Sequence, residues 1–229
     1  MTEFRRYAIY YAPRPGAFAT ATAEWLGWDC QTGQSVPHPD VPGLPQPVSA
    51  LTAAPRKYGF HGTIKAPFRL APDVSEAQLR ARLDRLAAQL APVIMPGLSL
   101  QNLKGFLALI PDGDDIDLLA LGAEVVSQLD DLRAPLTEAE VARRKPERLT
   151  ARQRALLANW GYPYVMEEFR FHLTLTDDLP VAEADAVMPR LAAWLAPALP
   201  QPFVIDDLCL FAEDATGRFH LLSRHTLAG

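Results

Sequence analysis

The chain has 229 residues, and its apolar fraction of 49% is normal for a globular protein with a sizeable core. Its net charge of −5 offers no basic excess to neutralise a long phosphate backbone, so we expect no binding along a long nucleic acid. No apolar run approaches the roughly 18 residues of a membrane span, and the N-terminus lacks a signal-peptide core. We therefore expect no membrane association and a cytoplasmic location.

The first half of the chain alternates strand and helix patterns between proline- and glycine-rich breaks. A long loop is predicted over 33–56, where six prolines occur and periodicity is weak. Ser75 is expected to cap a helix that Pro92 stops. The predicted elements are a strand over 6–12, a helix over 17–26 that ends at Gly27, a strand over 57–70, an amphipathic helix over 75–90 and one or two strands over 98–110.

The second half begins with a strong helix pattern and ends with a hairpin pattern. The predicted elements are a helix over 115–132, a charged and broken segment over 133–148, a helix from the cap Thr150 to 159 that Gly161 closes, a strand over 168–176, a helix over 182–195, and a hairpin of 203–212 with 218–226. The strands over 57–70 and 168–176 are each followed by a helix and then by strands. This order indicates an internal duplication and favours an α+β fold with mostly antiparallel sheets.

One short phrase occurs in both of those strands, 111 residues apart. Phe60-His61-Gly62-Thr63-Ile64 and Phe171-His172-Leu173-Thr174-Leu175 share the pattern Phe-His-x-Thr-aliphatic. His220 also follows a Phe, but Leu222 stands where the pattern requires Thr. The complete phrase is therefore the main indication of function.

Strand alternation gives each phrase one polar face that can line a groove. These faces carry His61, Thr63 and Lys65 in the first strand, and Arg170, His172 and Thr174 in the second. If the two faces meet, one imidazole can take a proton while the other gives one, as cleavage of a phosphodiester requires. The hydroxyls can hydrogen-bond the non-bridging oxygens, and Lys65 and Arg170 can offset their charge. We predict that the two histidines are catalytic and that the other four residues bind the substrate.

The chain resembles the 2H phosphoesterase superfamily, which is defined by two His-x-Thr/Ser-apolar motifs on two pseudo-symmetric lobes. The longer context, 56–68 together with 161–164 and 169–172, is similar to the branch found with phosphonate-utilisation (C–P lyase) genes. The resemblance covers nearly the whole chain. At position 62 a Gly stands where Ala or another small side chain is expected, and we expect this difference to matter little.

The resemblance implies a single domain over 1–229, made of two associated pseudo-symmetric lobes that each contribute one motif. It implies two mostly antiparallel sheets flanked by helices, with a central groove. The implied activity is that of a metal-independent phosphoesterase that hydrolyses a small cyclic phosphodiester. A 2′,3′-cyclic nucleotide and a phosphoribosyl cyclic phosphate formed during phosphonate breakdown are the expected substrate types.

Further candidate residues lie close to the two phrases. Lys57 shares the polar face of the first phrase, and Tyr164 precedes the second, where it can stack on a base or sugar or pack in the core. No carboxylate or Cys stands at ligand spacing near either histidine, so we expect no metal and no cofactor. Cys30 and Cys209 match no redox spacing and are expected to be reduced thiols.

Two other functional classes compete with a cyclic phosphodiesterase. One is a sensor module that binds a phosphate or nucleotide without turnover. The other is an RNA end-processing or 2′,5′-ligase-like enzyme, which the acidic net charge disfavours. For the leading hypothesis we expect a monomer whose only partner is a small phosphorylated substrate.

Overall fold

The computed structural model describes residues 4–229. Eleven strands lie in this range: β1 Arg6–Tyr11, β2 Trp28–Asp29, β3 Gln34–Ser35, β4 Gly62–Phe68, β5 Val93–Met95, β6 Leu98–Leu103, β7 Phe106–Pro111, β8 Leu173–Thr174, β9 Phe203–Ile205, β10 Asp207–Glu213 and β11 Phe219–Thr226. Seven α-helices accompany them: α1 Ala17–Leu26, α2 Val48–Leu51, α3 Glu76–Ala87, α4 Ile116–Gln128, α5 Glu138–Arg143, α6 Ala151–Trp160 and α7 Val181–Leu195.

Seven strands form one antiparallel sheet in the order β11-β10-β1-β4-β8-β7-β6. Two ribbons, β2–β3 and β5–β9, complete the strand pairing of the described residues. The predicted α+β class with mostly antiparallel sheets is confirmed. The four-stranded and three-stranded parts of the main sheet join at β4 and β8, where Gly62 is paired with Leu173.

Each half of the chain contributes one hairpin that pairs with a strand from the other half. The hairpin β6–β7 follows β4 in sequence but pairs with β8. The hairpin β10–β11 follows β8 in sequence but pairs with β1, which borders β4. Each strand that follows a motif histidine is thus supported by a hairpin from the other half, so the two motif strands are held side by side.

The two faces of the sheet have different coverings. On one face, Ile9, Ile64 and Leu173 join the main hydrophobic core together with the apolar sides of the longer helices. On the other, Ala8 and Tyr10 belong to a smaller cluster with Trp28. The smaller cluster covers only part of its face, and an open cleft lies beside it.

Local signals in the sequence explain the helix boundaries. Ser75 and Thr150 each form a capping box with the Gln three residues later, as expected for these N-caps. Gly27 and Gly161 end α1 and α6 in the left-handed region, with φ of 74° and 73°, where a Cβ would be unfavourable. No helix among residues 4–229 combines the length and the hydropathy needed to cross a bilayer.

Candidate active site

The two motif histidines are held by the same local hydrogen bond. Nδ1 of His61 donates to the carbonyl oxygen of Gly59 at 2.9 Å, and Nδ1 of His172 donates to that of Arg170 at 2.8 Å. A carbonyl oxygen can only accept, so each neutral ring carries its proton on Nδ1 and leaves Nε2 as an acceptor. The repeated phrase therefore produces a repeated geometry in which Nε2 is the reactive nitrogen of both rings.

A cleft of about 640 Å³ lies beside His61. His61, Thr63 and Thr174 line it. His172 packs against Phe106, another lining residue, with 5.7 Å between ring centroids. The structure thus brings His61, Thr63 and Thr174 to one cleft, whereas His172 is not in its lining and adjoins it through the ring of Phe106.

Aromatic rings fix the position and the protonation state of His61. Its ring stacks on that of the buried Tyr10, with 4.1 Å between centroids and 30° between planes, and Tyr58 lies 5.6 Å away. The pKa of His61 is lowered from 6.5 to about 4, mainly by burial and to a lesser extent by the proximity of His172, against the opposing effect of the bond to Gly59. At neutral pH His61 is therefore an unprotonated base.

Lys65 does not reach this cleft, which corrects the prediction that it shares a face with His61 and Thr63 and contacts phosphate. In the pairing of β1 with β4, Ile9 is opposite Lys65 but Tyr10 is opposite Thr63, so one extra residue is inserted in β4. This β-bulge reverses the alternation. Thr63 stays on the face of Tyr10, while Lys65 turns toward the helix-covered core with Ile9.

The Lys65 ammonium is buried and paired on that side. Nζ donates to the carbonyl oxygen of Val126 at 3.1 Å and to Oδ1 of Asp130 at 3.3 Å, and the residue is 3% exposed. Burial lowers the pKa of Lys65 to about 8, although Asp130 opposes the shift. Asp130 is also held by Arg133, with N–O distances of 2.8 and 2.9 Å. The environment is that of a structural ion pair.

The remaining predicted substrate-binding residues do not line the cleft in this structure. Arg170 is exposed, and its guanidinium donates to the carbonyl oxygens of Glu167 and Phe169 in its own segment. Lys57 is exposed at the end of a 3₁₀ turn over Pro55–Lys57. Tyr164 is 46% exposed and meets the ring of Tyr162 edge-on.

Several lining residues come from segments that carry no motif. Arg6 from β1 and Arg144 after α5 supply guanidinium groups, and Tyr162 supplies a ring. Ala54 and Pro55, at the end of the proline-rich loop, close another part of the lining, which also includes Asp177 and Asp178. Oδ1 of Asp177 accepts a hydrogen bond from the Ala54 amide at 2.8 Å, which ties this loop to the segment after β8. The two phrases do not point to these residues, which the fold brings to the cleft.

Gly62 matters more than the sequence indicates. A Cβ at this position would lie 2.5 Å from Cε2 of Phe171 and 3.0 Å from Cε1. Phe171 belongs to the second phrase and is 8% exposed, so its ring has little room to withdraw. The prediction that the identity of residue 62 matters little is wrong, because the ring occupies the space that a side chain would need.

Metal-binding and redox groups give no further site within residues 4–229. No cluster of three or more His, Cys, Asp or Glu side chains there has the geometry to hold a metal ion. Cys30 and Cys209 are buried free thiols, and burial raises the pKa of each above its ordinary value.

A family model described as "Protein of unknown function (DUF1045)" matches residues 63–220 of the chain. This range contains Thr63 and the whole second motif, but it begins after His61 and leaves out β1, β2, β3 and most of β11. Most of the fold described above, and most of the cleft lining, thus lies within the matched region.

Two curated proteins are similar in sequence, and both have the name ribose 1,5-bisphosphate phosphokinase PhnN. The one from Janthinobacterium sp. (strain Marseille) is 39% identical over 218 residues, which cover 93% of this chain and 48% of that protein. The one from Laribacter hongkongensis (strain HLHK9) is 37% identical over 224 residues, which cover 96% of this chain and 51% of that protein. The chain therefore spans about half the length of the curated relatives it matches.

The solved structures that match this chain are more distant in sequence. The crystal structure of E. coli LigT complexed with 3′-AMP is 15% identical and has a TM-score of 0.45, with coverage of 99% of this chain and 100% of that one. The crystal structure of TT0787 of Thermus thermophilus is 14% identical and has a TM-score of 0.46, with 98% of each chain covered. Scores of this size do not by themselves establish a common topology.

Proposed function

The chain belongs to the DUF1045 family, and we propose that it is a metal-independent phosphoesterase that opens a small cyclic phosphodiester by two-histidine acid–base catalysis. The observation that carries the proposal is the matched pair of Nδ1–carbonyl bonds, which leaves Nε2 free on both His61 and His172. The hydroxyls of Thr63 and Thr174 lie in the same cleft. This combination supplies a base, an acid and two hydrogen-bond donors for one phosphate group.

The two rings take different roles in the proposed reaction. His61 is the base, since its lowered pKa keeps Nε2 unprotonated at neutral pH. It removes a proton from the water whose oxygen attacks phosphorus. His172 is the acid, and Nε2–H of its imidazolium protonates the sugar oxygen as the P–O bond of the ring breaks. The products are a phosphomonoester and a free hydroxyl, with one water consumed.

The negative charge that grows on the non-bridging oxygens is stabilised by hydrogen bonds from the two threonine hydroxyls. Neither hydroxyl has a protein partner within the described part of the chain, whereas Oγ1 of the neighbouring Thr176 accepts a hydrogen bond from the Leu107 amide. Thr63 and Thr174 are therefore available to a ligand, while Thr176 is a structural residue.

The names of the curated relatives support a sugar phosphate as the substrate. Those proteins are named for the phosphorylation of ribose 1,5-bisphosphate. When a 5-phosphoribosyl 1,2-cyclic phosphate opens at the bond between phosphorus and the C2 oxygen, the product is ribose 1,5-bisphosphate. We therefore propose phosphoribosyl cyclic phosphate as the substrate, with phosphonate breakdown as its source, as the resemblance to the 2H branch implies.

The proposal also covers the domain organisation of the chain. We propose that residues 1–229 form one domain whose two associated halves each supply one motif. The exchanged hairpins support this arrangement, because each motif strand depends on strands from the other half of the chain.

A turnover assay in excess EDTA tests the proposed function. Purified protein is incubated with phosphoribosyl 1,2-cyclic phosphate and separately with 2′,3′-cyclic AMP, and ³¹P NMR follows the conversion of cyclic ester to monoester. We expect turnover of the sugar phosphate that EDTA does not reduce. Binding without turnover of either compound would favour the sensor module instead, and abolition of turnover by EDTA would contradict the metal-independent mechanism.

A further inference from the structure

We infer that Arg144 and Tyr162 form a subsite for a second phosphate group, the one that the substrate carries on C5 of its sugar. The inference rests on the proposed function and specifies the substrate class: a cyclic phosphodiester with a separate phosphomonoester group. Both residues line the same cleft as His61. The cleft volume of about 640 Å³ exceeds what a five-membered cyclic phosphate needs and leaves room for an extended ligand.

The segment that carries Arg144 is anchored to the sheet. Thr137 caps α5 in a capping box with Glu140. The carboxylate of Glu140 also accepts two hydrogen bonds from Arg69, just after β4, at 3.0 and 2.9 Å. These bonds hold the short helix against the strand that carries Thr63. Arg144 follows the last residue of α5 and is half-buried, so its position is set before any ligand arrives.

The Arg144 side chain is oriented by an aromatic ring and not by a carboxylate. Its Cζ lies 4.8 Å from the centroid of the Tyr162 ring, and among residues 4–229 it forms no ion pair. An arginine placed over an aromatic face keeps the N–H groups at the edge of its planar guanidinium available. That edge matches two oxygens of a phosphate group.

The other charged side chains of the lining distinguish Arg144 further. Arg6 already makes a bidentate pair with Glu213, at 2.6 and 2.7 Å. The carboxylate of Asp177 holds the Ala54 amide, in the part of the lining formed by the proline-rich loop. Within the described residues Arg144 is therefore the lining cation whose charge no protein group balances. A ligand with a second anionic group can pair with it.

The inference is tested by comparing two substrates that differ only at C5. The kcat/KM of the wild-type protein is measured with 5-phosphoribosyl 1,2-cyclic phosphate and with ribosyl 1,2-cyclic phosphate. We expect a preference of about 10- to 100-fold for the first, the range of a charge-assisted bidentate contact. Arg144→Ala should reduce this preference to below about threefold. Arg143→Ala is the matched control, since Arg143 has the same charge, is exposed and does not line the cleft, and it should retain the preference.

A binding measurement separates failure of the subsite from failure of the proposed function. Calorimetry compares the affinities of ribose 1,5-bisphosphate and ribose 1-phosphate for the three proteins, and the affinity ratio should follow the same pattern as the kinetic preference. If the affinity ratio is unchanged in Arg144→Ala, or if it falls equally in Arg143→Ala, the proposed subsite is wrong even if turnover is observed. A ratio that depends on Arg144 without turnover of either cyclic ester would retain the subsite and overturn the hydrolase.

Discussion

Replacement of Lys65 by methionine should stabilise the protein by about 2 kcal/mol at pH 7. Burial lowers the pKa of Lys65 from 10.5 to about 8, so keeping the ammonium charged at pH 7 costs the folded state about 3 kcal/mol relative to the unfolded chain. Methionine removes this cost. It also leaves the Val126 carbonyl without its bond from Nζ, which offsets about 1 kcal/mol of the gain. Asp130 keeps both of its bonds to Arg133.

Urea unfolding followed by circular dichroism at pH 7 and pH 10 measures this effect. Because the folded pKa lies below the unfolded one, the unfolded wild-type chain binds more protons between pH 8 and 10.5, and the wild type gains stability as the pH rises through this window. The advantage of Lys65→Met should therefore shrink to near zero at pH 10. As a control, Asp130→Asn leaves the buried ammonium without its carboxylate and should destabilise the protein by about 3 kcal/mol.

The same variant tests where the Lys65 ammonium points. Because the β-bulge directs the side chain away from the cleft, Lys65→Met should retain kcat/KM for the cyclic phosphodiester within about threefold. A loss of tenfold or more without a change in fold would return Lys65 to the substrate and refute the reasoning from the bulge. Destabilisation by more than about 1 kcal/mol at pH 7 would refute the estimated cost of burial.

Three further predictions concern the two motifs. Gly62→Ala should destabilise the protein by about 1–3 kcal/mol, because its Cβ overlaps the ring of Phe171; a melting temperature equal to that of the wild type would contradict the packing described. The acid limb of the kcat/KM–pH profile should lie near pH 4, because His61 stays neutral down to about that pH; a limb at pH 6.5 or above would exclude His61 as the unprotonated base. Arg170→Ala should change KM by less than about threefold, since the exposed guanidinium bonds to its own backbone; a tenfold rise would restore the predicted phosphate contact.

The fold class and the two faces of the second motif could be predicted because they depend on local patterns. The alternation of Phe171 and Leu173 with His172 and Thr174 is preserved in the structure, although the sheet ladder includes only Leu173 and Thr174 of this stretch. Burial of the apolar side chains is enough to keep the polar ones on the opposite face.

The position of Lys65 could not be predicted in the same way. Its face depends on the single residue inserted opposite β1, and a bulge is a property of two paired strands and not of one. A Lys two residues after a Thr in a regular strand lies on the same side, so the sequence pattern favours the wrong face.

The rest of the cleft depends on contacts between distant segments. Tyr10 is opposite Thr63 only because β1 and β4 pair, and Arg144 meets Tyr162 only because α5 is anchored by Arg69. No local pattern encodes these contacts. The same holds for the conflict between Gly62 and Phe171, which arises where the two motif strands meet.

The most direct test of the two-histidine mechanism is the turnover of phosphoribosyl 1,2-cyclic phosphate in EDTA by His61→Ala and His172→Ala, with His220→Gln as the control. His220 also follows a Phe, but its Nε2 is bonded to Asp214 and Leu222 stands where the motif has Thr, so the control should retain activity. Each motif variant should keep the wild-type circular dichroism spectrum and lose at least about a hundredfold in kcat, as expected for removal of a general acid or base. A folded variant of either histidine with near-normal turnover would contradict the mechanism.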